Sequence, residues 1–436
     1  MARAALPLPR LEVRFLPGPH NVLRRQLGNG IILLARENFA TPSVVIQGFV
    51  AAGSIHTSRE QAGLADLTAQ ALMRGTVKRT FRQVFETIES LGANLGFTAN
   101  EHTTTFQGKS LAEDLDTLLG LLAETLQSPS FPAAEVSRLK AEAITELSIR
   151  DQETGAVAGM TFDDLIYPNH PYGVPVDGYR ETVEALSPRD LRAFHRKFYG
   201  PRGMVIAVVG AVSAQAAVEK VEAALGGWKA PRRPAEVSLP PVRRPSGFLR
   251  RDVALAGKSQ SDIVAGAPGP SRLEPDYLAA ALGNNILGRF GLMGRIGAAL
   301  RTATGLAYYA HSALLGGPGP GPWQITAGVN PANVERAVEL IRKEIARFTT
   351  RRVSPAELAE NQAQFIGRLP LQMESNEGVA TSLIHTERYQ LGLDYYLRFP
   401  DLIASVTRDQ VLDMSRRYLD PERLAVAVAG PGSAGG

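Results

Sequence analysis

Two stretches of sequence decide the fold: Ser187–Gly210, SPRDLRAFHRKFYGPRGMVIAVVG, and Thr407–Gly430, TRDQVLDMSRRYLDPERLAVAVAG. Each reads as a helix, a proline turn and an apolar strand that closes on glycine. Pro201 matches Pro421 and Gly210 matches Gly430, at one constant offset. Each half also carries a long amphipathic helix and a proline–alanine–acid helix start, at Ser128–Glu135 and at Ser354–Glu357. Self-similarity at half the chain length points to a duplicated unit, not to a solenoid of short repeats.

Working outward, the first half alternates in period. Gly30–Arg36 and Ser43–Ala51 are apolar and β-branched, as strands are. Gly63–Met73 and Thr80–Leu91 read as helices, and Ala93–Lys109 as a strand pair rich in Thr and Phe. Leu111, Leu115, Leu118, Leu119, Leu122 and Leu126 recur at helical spacing, as do Val136, Leu139, Ala143, Ile144 and Leu147 in Ala134–Arg150. Paired strands between helices predict an α+β fold: two homologous halves, each an antiparallel-rich β-sheet packed against helices. Between them, Pro231, Pro234, Pro240, Pro241 and Pro245 with Arg232, Arg233, Arg243 and Arg244 read as a semi-rigid linker. The expected division is therefore 1–227, linker 228–247, and 248–436.

Composition narrows the chemistry. The chain has 436 residues, 44% hydrophobic and 21% charged, in the range of globular proteins. The longest apolar stretches, such as Met204–Val209, are strand-length, so no membrane span is expected. Net charge +4, from 47 basic and 43 acidic residues, forms no basic stripe, so nucleic acid is not an expected partner. With no cysteine, thiol nucleophiles and thiolate metal sites are excluded. Met1–Pro19 lacks the apolar core of a secretory signal, and the compartment stays undecided. None of the seven histidines has a neighbour at i+4, the spacing a helical zinc pair requires. The prolines of Gly316–Trp323, GGPGPGPW, remove the donors a phosphate cradle needs, leaving a turn between strands.

Ala51–Thr76, AAGSIHTSREQAGLADLTAQALMRGT, resembles the zinc-site segment of the pitrilysin/insulinase peptidases, the inverzincins. Gly53, Ser54, Gly63, Leu64, Ala65, Gly75 and Thr76 fit the family frame around its H-x-x-E-H motif. The metal positions depart from it. Asp66 stands at the first His, Ala69 at the catalytic Glu and Gln70 at the second His. Glu146 stands near the third ligand, a downstream glutamate. Gly92–Phe106, GANLGFTANEHTTTF, looks like the family's substrate edge strand, with Gly96, Phe97 and Thr98 along it. Tyr167–Tyr199 looks like the H-P-Y-G segment and its following helix. The resemblance implies that this chain holds no metal.

In the second half, Gly294–Ser312, GRIGAALRTATGLAYYAHS, resembles the family's L-R-x-x-x-G-L-x-Y segment, with Leu300, Arg301, Gly305, Leu306 and Tyr308 at its spacing. The resemblance makes Arg301 and Tyr308 catalytic groups that act in a partner's zinc site. Peptide hydrolysis builds negative charge on the carbonyl oxygen, and a phenol O–H and a guanidinium stabilise it. A helix ending near Thr304, with Gly305 as a left-handed cap, brings both groups to one side. Tyr309 competes for the phenol role, but alternation along a strand turns it to the other face. The short stretch Asn284–Gly297 argues against presequence recognition through a long glycine-rich loop.

These expectations describe the non-metal subunit of a heterodimeric zinc endopeptidase. Its partner is a homologous subunit bearing H-x-x-E-H, with zinc there, and its substrates are peptides or unfolded proteins. The alternatives are a silent scaffold or core-type subunit of a larger assembly, and a free-standing peptide-binding protein.

Overall fold

The structure, a computed structural model, describes residues 8–229, 237–289 and 294–431. Two sheets organise it. The first contains β1 (Leu23–Gln26), β2 (Ile32–Glu37), β3 (Ser43–Val50), β4 (Asn94–Ala99), β5 (Thr104–Leu111) and β6 (Val205–Gly210), ordered β1-β2-β6-β3-β5-β4. The second contains β7 (Leu249–Ala254), β8 (Ser261–Pro268), β9 (Ala307–Leu314), β10 (Pro322–Val329) and β11 (Ala425–Gly430), ordered β7-β11-β8-β10-β9. Without β1, the two orders are the same topology. Only β2–β6 and β7–β11 are parallel; every other pairing is antiparallel. The expected duplicated α+β fold is what the chain adopts.

The repeated glycines have one structural cause. A Cβ on Gly210 would lie 2.2 Å from the Ser43 carbonyl at the start of β3. A Cβ on Gly430 would meet the Ser261 side chain at the start of β8. The last strand of each half therefore closes against the start of its neighbour in the sheet, where only glycine fits.

In the first half, α1 (Leu64–Ala71), α2 (Phe81–Ser90), α3 (Leu115–Gln127), α4 (Ala133–Arg150), α6 (Arg180–Ala185), α7 (Pro188–Phe198) and α8 (Ala214–Leu225) accompany the sheet, with α5 (Thr154–Ile166) between α4 and α6. The leucines of α3 are buried as their spacing predicts, together with Ile31, Leu33, Ile46 and Ile206 of the strands. Leu111 is a correction. It ends β5 opposite Ser43, and a 3-10 turn at Ala112–Asp114 separates it from α3. In the second half come α9 (Tyr277–Asn284), α10 (Arg295–Gly297), α11 (Val334–Thr350), α12 (Pro355–Gly367), α13 (Leu369–Gln372), α14 (Asn376–Arg388), α15 (Tyr395–Ala404) and α16 (Arg408–Tyr418). Here Trp323, Ile341, Ile345 and Phe348 are the centre of a second core. The Ser354–Glu357 start forms a reciprocal capping box at the head of α12.

The opposite faces of the sheets show what the sequence did not. Helix α5 packs on the second sheet: Ala158, Phe162 and Ile166 are buried against Val264, Ala425, Ala427 and Ala429. Its counterpart α14 packs on the first sheet, with Val379, Ala380 and Leu383 against Val45, Phe49, Val205, Ala207 and Val209. The halves exchange equivalent helices. This explains why β3, β6, β8 and β11 are buried along nearly their whole length, with helices on both faces. Polar ties hold each exchange. Thr154 donates to Asp262, and Arg251 pairs with Asp164 at 2.7 Å. Arg24 grips Glu387 through Nε and Nη2, and Lys109 pairs with Glu377. Of the expected linker, Pro231, Arg232, Arg233 and Pro234 lie outside the described residues.

Candidate functional site

The zinc-site frame falls on α1. Its N-cap, Gly63, has φ 92°, and a Cβ there would sit 2.8 Å from Val183 and 2.9 Å from the Asp177 carbonyl. Glycine thus lets α1 start against the 175–185 segment. Leu64, Ala65, Leu67, Thr68, Ala69 and Ala71 face inward, leaving Asp66 and Gln70 one turn apart on the more open side. They bond to each other, Gln70 Nε2 donating to Asp66 Oδ2 at 2.7 Å. Ala69, at the base position, is fully buried and has no lone pair or proton to offer. Glu146, on α4, is exposed to solvent. It is still close enough for its charge, with that of Asp177, to act on Asp66. Asp177 is itself held by Arg150 at 2.8 Å.

This donor set does not suit zinc. One carboxylate is engaged by an amide, an amide oxygen is a weak neutral ligand, and the second carboxylate is solvated. Among the described residues, no three His, Asp or Glu side chains are arranged to hold a metal ion.

Burial pushes the Asp66 carboxyl up to about 6, against a Gln70 hydrogen bond that favours the anion. The folded state therefore holds this proton more tightly than the unfolded chain does. The resulting stability is present below about pH 4 and is lost as pH rises from about 4 to 6. Asp66→Asn, a neutral mimic, should stabilise the protein by up to about 3 kcal/mol at pH 7 and by almost nothing at pH 4. Urea titrations at the two pH values check this; an equal effect at both would refute the buried carboxyl.

Arg301 and Tyr308 lie on the second sheet's edge. Arg301 is in a π-type turn, Ala298–Thr302, that follows α10. The turn closes at Gly305, φ 65°, with Gly305 N–H donating to Arg301 O and Leu306 N–H to Leu300 O, both 2.9 Å. The left-handed cap is where the sequence predicts it; the widened turn was not foreseen. Strand β9 is outermost in its sheet, and its register to β10 slips between Gly328 and Val329. Gly328 faces Tyr309 and Val329 faces Ala307, so Tyr308 is the extra residue of a β-bulge. The two tyrosines are therefore separated by a bulge, which corrects the expectation of plain alternation. Tyr308 is 58% exposed, and Arg301 is also exposed. Neither side chain has a hydrogen-bonding partner among the described residues. Tyr309 instead turns toward α5 and donates to Asp262; burial and that bond hold its phenol far above the ordinary range.

Strand β4 is the first sheet's edge, paired only with β5. Gly96 and Thr98 point outward and Phe97 inward to the core. No hydrogen bond or ion pair among the described residues joins the Asp66 group to Arg301 or Tyr308.

A cleft of about 210 Å³ lies where the halves meet, between the β4–β5 turn, α5 and the β9–β10 turn. The Gly/Pro stretch Gly316–Trp323 forms that last turn, as expected. Glu101, His102, Asp163, Tyr167 and Tyr172 line the cleft. His102 bonds the Tyr172 hydroxyl, and Tyr167 donates to the Pro320 carbonyl at 3.0 Å. Burial raises Asp163 to about 7 and lowers His102 to about 4. The sequence contained Glu101, His102, Tyr167 and Tyr172 in its GANLGFTANEH and YPNHPYG segments, but not Asp163, which comes from α5.

Residues 33–176 match the profile described as "Insulinase (Peptidase family M16)", and residues 185–365 that of "Peptidase M16 inactive domain". The chain is 27% identical to an uncharacterized zinc protease of Mycobacterium leprae, over 94% of this chain and 92% of that protein. It is 23% identical to a probable mitochondrial-processing peptidase subunit beta of Arabidopsis thaliana, over 93% and 77%. Its fold overlays a crystal structure of a peptidase M16 inactive domain from Pseudomonas fluorescens with a TM-score of 0.87 at 25% identity, covering 95% of this chain and 99% of that one. Duplicated sheets, the altered motif helix and these matches agree: the chain belongs to the M16 (insulinase) family of peptidases.

Proposed function

We propose that this chain is the metal-free subunit of a two-subunit zinc endopeptidase. The observation that carries the proposal is an asymmetry. The motif helix has Ala69 in place of a base and closes on itself through Asp66 and Gln70, while Arg301 and Tyr308 stand exposed without hydrogen-bonding partners among the described residues. The partner is a homologous subunit with H-x-x-E-H, and zinc belongs to that subunit. A relative named as a subunit of a processing peptidase supports such pairing. The substrate, a peptide or unfolded protein, adds as a strand to an open sheet edge such as β4, where main-chain groups supply affinity. Tyr308 O–H and the Arg301 guanidinium donate to the oxygen on which charge develops.

Purified alone, the chain should hold far less than one zinc and cleave no peptide, as metal analysis and a fluorogenic peptide assay will read. Co-expressed with an H-x-x-E-H homologue, it should co-elute with it in size exclusion and raise cleavage. One tightly held zinc per chain, with chelator-sensitive proteolysis, would sink the proposal. So would failure to associate with any such homologue.

A further inference from the structure

A second cleft, of about 460 Å³, opens within the second half among α9, α12, α14 and α15. Its walls are aromatic: Tyr277, Phe365, Tyr395, Tyr396 and Phe399 line it. Among the described residues no Asp or Glu lines it, whereas Arg272 and Arg368 do. The volume is that of small-molecule sites, which run from ~300 to ~1,000 Å³.

Arg272 is set in place by what surrounds it. Its Nε donates to the Gly316 carbonyl at 3.1 Å, and its Nη1 contacts His385 Nε2 at 2.8 Å. The guanidinium lies over the Tyr277 ring at 4.9 Å and the Tyr389 ring at 5.5 Å. A guanidinium only donates, so His385 Nε2 is the lone-pair nitrogen and Nδ1 carries the ring proton. That proton is directed to the Tyr396 hydroxyl, 3.3 Å away. Burial and the neighbouring charges of Arg272 and Arg388 keep His385 neutral, at about 4. Arg272 pairs with no carboxylate among the described residues. Glu274, the acid on the adjoining groove, is engaged by Tyr418 and Arg417. One donor on Nη1 and both on Nη2 remain for a ligand.

An oriented cation without a counter-ion, backed by aromatic faces, selects a particular chemistry. The planar fork matches a carboxylate. The walls favour a flat or apolar body. We propose that this cleft binds a carboxylate carried on an aromatic or apolar body, with Arg272 as the carboxylate's partner. The site is separate from Arg301 and Tyr308 and does not depend on a zinc subunit. Two sources share the chemistry: a small aromatic acid, and the C-terminus of a peptide ending in an apolar residue.

Isothermal titration of the purified full chain tests this with N-acetylphenylalanine, its methyl ester, N-acetylglycine and inorganic phosphate. Saturable binding of the first, one per chain, is expected. The ester, which lacks the charge, should bind at least about tenfold more weakly, as should N-acetylglycine, which lacks the body. Arg272→Gln should lose a similar factor. Because that change also releases Gly316 and His385, Ala281→Phe is the second variant. It fills the cleft from α9 and removes none of the groups that hold the guanidinium, and it should abolish binding. Tetrapeptides ending in Phe, as acid or amide, separate the sources. Tighter binding of the acid than of N-acetylphenylalanine assigns the site to peptide termini, and failure of both assigns it to a small acid. No saturable binding of any carboxylate would overturn the proposal. So would equal binding of ester and acid, phosphate binding as tight as N-acetylphenylalanine, or affinity unchanged in Ala281→Phe.

Discussion

Tyr308→Phe, in the proposed two-subunit enzyme, is expected to lower kcat by about 10²–10³-fold with little change in KM. An interaction made only in the transition state lowers kcat and kcat/KM together. The side chain is 58% exposed and bonds to none of the described residues, so its hydroxyl can leave without disturbing the fold. Arg301→Ala should act more on KM if the guanidinium grips the substrate backbone in both states. Tyr309→Phe, attractive from the sequence as a silent control, is not one. Its hydroxyl donates to buried Asp262, which would keep only Thr154 and Gln260. That change should cost stability, about 1–3 kcal/mol, and leave the chemical step alone. If Tyr308→Phe and Arg301→Ala both leave cleavage unchanged, the chain is a scaffold for its partner.

Phe162→Ala should destabilise the chain by about 3–5 kcal/mol. Phe162 is wholly buried where α5 meets the second sheet, between Ala158 and Ile166. The cavity would open between the halves, not inside one. Because α14 ties them in the opposite sense, unfolding should remain one transition with an unchanged denaturant slope. Equilibrium urea unfolding, followed by tryptophan fluorescence and far-ultraviolet circular dichroism, reads both quantities. Trp228 reports on the first half and Trp323 on the second. Two separated transitions would show that the exchanged helices do not couple the halves.

Most helices and strands of the first half, and the helix and strand that close each half, were legible because their periods are clean. The leucine row of α3 and the all-apolar β6 and β11 fall where spacing puts them. The duplication was legible in two glycines, and the structure supplies their cause. The exchange was not legible. Phe162 and Ile166 make an apolar stripe on α5, and a stripe does not say which sheet covers it. The Glu101–Asp163 cleft stayed hidden for the same reason, since its walls come from segments joined only by that exchange. At the candidate site, residue types told what the chemistry lacks at positions 66, 69 and 70. They did not tell that Asp66 and Gln70 bond to each other, nor that a bulge sets Tyr308 apart from Tyr309.

The reciprocal helices also bear on how the chain is made in a cell. A growing chain presents α5 long before β11, residues 425–430, has left the ribosome. At ordinary rates of synthesis the interval is on the order of ten seconds or more. Through it, Ala158, Phe162 and Ile166 lack the β11 part of their cover, and the first sheet waits for α14. The nascent first half is thus a natural client for holding chaperones. A ribosome that stalls between α14 and residue 425 leaves a product in which the first sheet has its helix while the second, lacking β11, cannot complete the layer that covers α5.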